Sequence, residues 1–363
     1  MKLQVTQENL NKALGSVSRI ANSRNTLPIL ANVLIKTVKN RLSIAATNLD
    51  IAITHQIGSK MGEEGAITVP ARLMQEFVNS LPSGVIELST EDNKLHISAD
   101  KYQSTINGVA ADEFPVMPAI AEGQHWSIGS GSLKKALQQV IFAASNDEAR
   151  PVLTGVLVHT EGPKTYLAAT DSYRLAEKNL GKLTSPVSLL LPATALQDLL
   201  RIIGDTEETV EVLHDEQQVR FQVGDIELVT RLIEGNYPDY KKLIPTTFKT
   251  TATLQRSELM NITKVSSLFA RESAGSVTIH VSEADKTVSI RAIASQLGEN
   301  TAAADAVVKG DGDITLNSRY LLEALHAMVS DEVSLCFNGK LEPCVLKAGD
   351  DPDYLHLIMP LKS

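Results

Sequence analysis

The chain repeats itself three times, and this property limits its fold more than any other. The segment ITVPARLMQEFVNSL at 67–81 returns as LLLPATALQDLLRII at 189–203 and as ITLNSRYLLEALHAM at 314–328. Each copy is a short apolar run, then Pro or Asn, then an amphipathic stretch. Counted from Pro70, Pro192 and Asn317, the residues four, eight and eleven positions further on are apolar throughout. They are Met74, Val78 and Leu81, then Leu196, Leu200 and Ile203, then Leu321, Leu325 and Met328. That spacing is one face of a helix. Proline fits a helix opening, where its missing N–H costs nothing, and asparagine fits the cap.

A second helix precedes this one in every copy. Its apolar positions are Leu10, Ala13, Leu14, Val17 and Ile20, then Leu133, Ala136, Leu137, Val140 and Ile141, then Leu259, Ile262, Val265 and Leu268. The strands repeat as well. RLSIAATNLDIAI at 41–53 matches TYLAATDSYRLAE at 165–177, with Thr47 and Thr170 lying 123 apart, and TVSIRAIASQLGEN at 287–300 is a looser third copy. The hairpin-like runs VIELSTEDNKLHISA, TVEVLHDEQQVRFQV and EVSLCFNGKLEPCVL alternate polar and apolar residues, which is the antiparallel signal. The predicted fold is therefore α+β, three units of two helices packed on antiparallel sheet. Proline-containing links at 114–124 and 237–247 place the boundaries near 121 and 245, giving domains 1–121, 122–245 and 246–363. Repeated units that bury a shared interface tend to build arrays or rings.

At 43% hydrophobic and 21% charged residues, the chain reads as globular. The start MKLQVTQENLNK lacks the apolar core of a signal peptide, and no stretch approaches the ~18 apolar residues of a membrane span. Two cysteines, Cys336 and Cys344, are too few for a disulfide framework. The expected setting is the cytoplasm, with no membrane partner. The net charge of −9 taken whole disfavours nucleic acid, and 4% aromatics are too few to stack single-stranded bases. Distribution changes the first of these. The helical windows 7–24, 70–81, 131–145, 192–204, 256–271 and 317–330 hold eleven basic and five acidic residues. They carry a surplus of six, and the rest of the chain carries −15. Solvated helix faces often hold Lys and Arg, so charge alone does not select DNA.

The segments LPIL (27–30), TVPAR (68–72), AATDSYRLA (168–176), YPDYKKLIP (237–245) and IMPL (358–361) stand in that ordered triplication. Together they closely resemble the bacterial DNA sliding clamp family, the beta subunits of DNA polymerase III, and the resemblance covers the whole chain. It implies three sliding-clamp domains per chain, half of a six-domain ring closed by a head-to-tail homodimer, with sheets outside and helices lining the hole. It implies a non-catalytic accessory subunit, without cofactor or metal, that encircles double-stranded DNA independently of sequence. Its partners would be the polymerase III alpha subunit, the clamp loader, and other polymerases and repair proteins carrying a motif rich in Gln, Leu and Phe.

The resemblance also assigns residues. Arg24 and Arg72 match DNA-contacting positions, and Lys135 and Arg201 sit at inner-face positions. The segment NDEARPVL (146–153), with Asp147, matches a DNA-contacting loop, in which Pro151 and Val152 stand where some members have a tyrosine pair. The peptide pocket draws Leu153, Thr170, Ser172, Tyr173, Arg174 and Leu175 from the second unit. Pro238, Lys242 and Leu243 come from the following link, and Val345, Leu357, Ile358, Met359, Pro360 and Leu361 from the third unit. Ile106 on one side, with Leu268 and Phe269 on the other, match the dimer contact.

An enzyme reading has little to stand on. Ser132 to Lys135 fits S-x-x-K, but S-D-N and K-T-G are missing, and Ser132 is expected to cap a helix instead. The eight histidines never fall at metal-ligand spacing. Gly129–Ser130–Gly131 lacks the third glycine of a dinucleotide fingerprint. A protein-only adaptor is the remaining rival, since it shares the pocket and needs no hole.

Overall fold

The structure, a computed structural model, describes residues 1–21, 27–204, 208–296 and 298–362. Arg24 lies outside the described residues. Six α-helices are present among them: α1 (Gln7–Val17), α2 (Ala71–Ser80), α3 (Ser130–Val140), α4 (Ala193–Ile202), α5 (Arg256–Ser267) and α6 (Ser318–Ala327). Each repeat supplies two, and each helix starts directly from the end of a strand. Short polar side chains make two of these transitions. The Thr6 hydroxyl accepts from the Asn9 N–H, and Asn317 Oδ1 accepts from the Arg319 and Tyr320 N–H groups. Ser132 does not cap α3. The strand Gln124–Gly129 runs into the helix two residues earlier, so Ser132 lies within the first turn.

The predicted apolar faces are buried, with three exceptions. Leu200 is half-buried because Leu199 points inward beside it. Val265 and Leu268, at the end of α5, are 46% and 49% exposed. Periodicity reports which residues share a helix face, but not whether the chain's own core reaches that face. The first helix also ends sooner than its apolar pattern, with Ile20 buried in the turn beyond α1.

The chain divides into two compact units, Met1–Gly131 with Gln197–Leu232, and Ser132–Leu196 with Ile233–Ser363. The division passes through the middle repeat because strands pair across repeats. In the first unit, a five-stranded sheet runs Lys60–Glu63, Lys2–Thr6, Val85–Glu91, Lys94–Ala99 and Tyr102–Asn107. An eight-stranded sheet there joins Ile226–Arg231 of the second repeat to Ile51–Gly58 of the first, with Thr230 opposite Ile51. In the second unit, a nine-stranded sheet joins Tyr354–Ile358 of the third repeat to Arg174–Gly181 of the second, with Ile358 opposite Arg174. A four-stranded sheet ends on Gly298–Asp305. The same antiparallel joint is thus made twice. The corresponding strands left over, Tyr102–Asn107 and Gly298–Asp305, both lie at sheet edges.

A buried ion cluster holds part of the second unit. Asp351 accepts from Lys178 Nζ at 2.6 Å, Lys135 Nζ at 2.9 Å and Gln139 Nε2 at 3.2 Å. Burial pushes its carboxyl up, but these three donors outweigh burial and hold it at about 2. Asp351→Asn leaves the Lys178 ammonium buried without its counter-charge, which costs about 3 kcal/mol at neutral pH. The native carboxyl sits below its ordinary 3.8, so its contribution is complete above that value and fades as pH falls towards about 2. Urea midpoints should therefore separate wild type from variant at pH 7 and converge near the bottom of that window.

Candidate functional site

The pocket residues of the second unit are built around one turn. Thr170 Oγ1 donates to the Arg174 carbonyl at 2.6 Å and accepts from the Ser172 N–H at 3.1 Å. Asp171 Oδ1 accepts from the N–H groups of Tyr173 and Arg174 at 2.9 and 3.0 Å. This double bracing holds Ser172 at a φ of 79°, in the left-handed region. The turn presents Tyr173, which is 59% exposed, and turns Arg174 inward. The Tyr173 carbonyl then accepts from the Met359 N–H at 2.8 Å, which brings the C-terminal segment alongside. Leu361 is fixed by its N–H to the Thr315 carbonyl at 2.8 Å.

Beside this turn lies a buried apolar cluster of Ala168, Leu175, Tyr240, Cys336, Val345 and Leu357. Met359, Tyr237 and Ile244 pack against it while partly exposed. Leu175, Val345 and Leu357 thus belong to a buried cluster, and Ile358 and Leu153 are buried too. Met359, Pro360 and Leu361 are half-buried, and Ser172, Tyr173, Pro238, Lys242 and Leu243 are exposed. Thr170 is buried as a brace. Both cysteine thiols are pushed up by burial and are inert.

The link that carries Pro238, Lys242 and Leu243 is latched by a polar cluster. The Tyr240 hydroxyl donates to Glu177 Oε2 at 2.5 Å, and Lys241 Nζ pairs with the same oxygen at 2.5 Å. The ammonium also lies 3.7 Å from the Tyr166 ring centre. Because the Tyr240 proton points at Glu177, His159 Nε2, 2.7 Å away, is the donor to the Tyr240 oxygen. Burial and then the Lys241 charge hold the His159 imidazole below its ordinary value. Lys242, by contrast, is exposed and pairs with Asp239 at 2.8 Å.

Arg174 is buried and bonded within the chain. Its guanidinium donates to Asp171 at 3.1 Å, to the Phe142 carbonyl at 2.7 Å and to Glu323, between the rings of Phe142 and Tyr320. Glu323 also accepts from Arg319 at 2.7 Å. Burial alone would raise the Glu323 carboxyl, but the two guanidiniums draw it below its usual range. Sequence reasoning missed Phe142, Tyr320 and Glu323, because nothing local marks them as partners of Arg174. Tyr237 and Tyr240 were visible within YPDY.

Arg72 is almost fully exposed on α2 and donates to Glu76 at 2.8 Å. Arg201 on α4 donates to Asp198 at 2.6 Å. Burial raises the Asp198 carboxyl despite Arg201, whose own side chain is about half exposed. Lys135, with a 45% exposed side chain, pairs with Asp351 at 2.9 Å. Asp147 folds its own loop, accepting from the Ala149 N–H at 3.1 Å and from Arg150 Nε at 3.1 Å. Arg150 reaches on to Ser172 Oγ at 3.1 Å, so this loop leans on the pocket turn. Pro151 is exposed and Val152 half-buried. For the dimer, Ile106 is buried on its edge strand, Leu268 is half-exposed and Phe269 half-buried.

The models of the DNA polymerase III beta subunit match in order, the N-terminal domain at 1–118, the central domain at 127–239 and the C-terminal domain at 241–362. The chain is 30% identical over 375 residues to the beta sliding clamp of Synechococcus elongatus, covering all of this chain and 99% of that protein. It is 29% identical over 378 residues to that of Bacillus subtilis, with both chains fully covered. The crystal structure of the DNA polymerase sliding clamp from Bacillus subtilis superposes with a TM-score of 0.95 at 29% identity, over all of this chain and 99% of that one. The DNA polymerase III beta subunit of Thermotoga maritima gives 0.94 at 27%, with the same coverage. An apolar cluster edged by the link and the C-terminal segment, basic helices in an acidic chain, and full-length likeness in sequence and fold agree: this chain belongs to the DNA polymerase III beta subunit family, the beta sliding clamps.

Proposed function

We infer that the chain is a DNA polymerase processivity factor that acts as a closed ring on duplex DNA and catalyses nothing itself. The observation that carries this is the twice-made strand joint with one strand of each kind left over. A second copy supplies the complementary edge at each end, and two such joints close a head-to-tail homodimer of six domains divided near residues 121 and 245. Paired edges hide the N–H and C=O groups that an open edge exposes. The ring holds DNA by topology, so single contacts can be weak. Arg24, Arg72 and Arg201, with Lys135 and the 146–153 loop, are the proposed phosphate contacts. The partner carboxylates of Arg72 and Arg201 compete with phosphate, which favours exchange over capture, and contacts to phosphate rather than to base edges carry no sequence preference.

The pocket under Tyr173, Leu243 and Met359 takes an extended Gln/Leu/Phe-type peptide from the polymerase alpha subunit, the clamp loader or repair proteins. Apolar side chains would enter over Leu175 and Val345, and the flexible, polarizable Met359 adapts to varied partners. Work on the chromosome places the protein in the cytoplasm; among the described residues no helix is long and apolar enough to cross a membrane. The test is retention. Protein loaded on nicked circular DNA by a clamp loader should stay through gel filtration and be lost, by at least tenfold, when the circle is cut. Equal retention on both forms would favour the protein-only adaptor and overturn the ring.

A further inference from the structure

We propose that the junction between the first two repeats carries a second, smaller docking groove, for an extended peptide bearing a carboxylate next to an aliphatic residue. The proposal rests on the reading of the first pocket as a peptide site. A cavity of about 120 Å³ lies there, lined by Leu49, Asp50, Pro115, Val116, Val229 and Arg231 among others, all within one compact unit.

The internal repeat relates this cavity to the pocket of the second unit almost bond for bond. Thr47 Oγ1 donates to the Ile51 carbonyl at 3.0 Å and accepts from the Leu49 N–H at 3.0 Å, as Thr170 does with Arg174 and Ser172. Asn48 Oδ1 accepts from the N–H groups of Asp50 and Ile51 at 3.1 and 2.8 Å, as Asp171 does for Tyr173 and Arg174. Leu49 and Ser172 share a φ of 79°. The Arg231 N–H donates to the Asp50 carbonyl at 3.1 Å, as Met359 does to Tyr173. Pro115 leads its link as Pro238 leads the other, at the same 123-residue offset as the two threonines. Turn, returning strand and link therefore frame a groove in both places.

The side chains have diverged, and they set the ligand. Where the other pocket shows Tyr173 and Met359, this one shows Asp50 and Arg231. Among the described residues neither Asp50 nor Arg231 has an ion-pair partner, so the guanidinium is open to a carboxylate and the carboxylate to a main-chain N–H. The apolar part is also unspent. Leu49 is held in a left-handed conformation that a leucine adopts only when its surroundings impose it, yet its side chain is 48% exposed and Val116 is 95% exposed. Ligand cavities for whole small molecules run to roughly 300–1,000 Å³. This one fits a single aliphatic side chain, so a dissociation constant in the millimolar range is expected.

The test uses full-length protein with labelled Leu and Val methyl groups and the peptide acetyl-Leu-Asp-Leu-Asp amide. Leu49, Val116 and Val229 should shift in a saturable way. Arg231→Glu, at an exposed site, should weaken that binding at least fivefold, and Met359→Ala should leave it unchanged. Shifts confined to Leu243 and Val345, or shifts that Arg231→Glu does not alter, would overturn the second groove while leaving the first pocket standing. No shift in either set would overturn the second groove, and a Gln/Leu/Phe peptide that shifts neither Leu243 nor Val345 would overturn the first pocket as well.

Discussion

Leu268→Glu should convert the protein into a folded monomer of 39.2 kDa that no longer stays on circular DNA. The side chain is half-exposed at the end of α5, so the substitution costs the isolated chain little. In the proposed dimer it sits with Phe269 against the strand that carries Ile106. A carboxylate buried there without a partner costs several kcal/mol, which weakens association by roughly a thousandfold. Sedimentation at micromolar concentration reads the mass, and the circular-DNA assay reads retention. A dimer that persists with wild-type affinity would mean that the chains meet elsewhere.

Leu243→Asp should weaken binding of a Gln/Leu/Phe peptide by roughly a hundredfold without changing the dimer or its retention on DNA. Leu243 is 47% exposed on the link, so its apolar surface is available to a ligand rather than spent on the core. Removing an aliphatic contact worth about 1.5 kcal/mol and placing a charge in a desolvating groove act in the same direction. Met359→Ala removes only packing and should cost about tenfold. Calorimetric titration of peptide into each variant checks both. Unchanged affinity in Leu243→Asp would remove the link from the pocket.

The helix faces, the hairpins and the order of three units were legible because each is encoded within about fifteen residues. Met74, Val78, Leu321 and Leu325 are buried as their spacing predicts. What local pattern did not reveal depends on distant partners. Arg174, which the resemblance puts in the pocket, is bonded to Asp171, Glu323 and the Phe142 carbonyl, partners that no local pattern names. Val265 and Leu268 had the spacing of core residues, yet their face meets no core of this chain. Arg72 and Arg201, which the resemblance puts at DNA-contacting and inner-face positions, each pair with an acidic neighbour one helical turn away. That last fact was available from Glu76 and Asp198 by i,i+4 and i,i+3 counting.

The cross-repeat joints also have a bearing on how the protein is made. Ile51–Gly58 waits for Ile226–Arg231, and Arg174–Gly181 waits for Tyr354–Ile358. Such distant pairings are slow, and an unpaired strand on a growing chain is a template for wrong neighbours. From residue 58 until the last strand is made, the emerging polypeptide therefore carries at least one open edge awaiting residues not yet synthesised. In the finished chain the edges at Tyr102–Asn107 and Gly298–Asp305 are still open. The first two joints close at a rate independent of how much protein is present. Under the proposed assembly the third is bimolecular, so the cell's concentration of the chain decides how long each new copy remains unfinished.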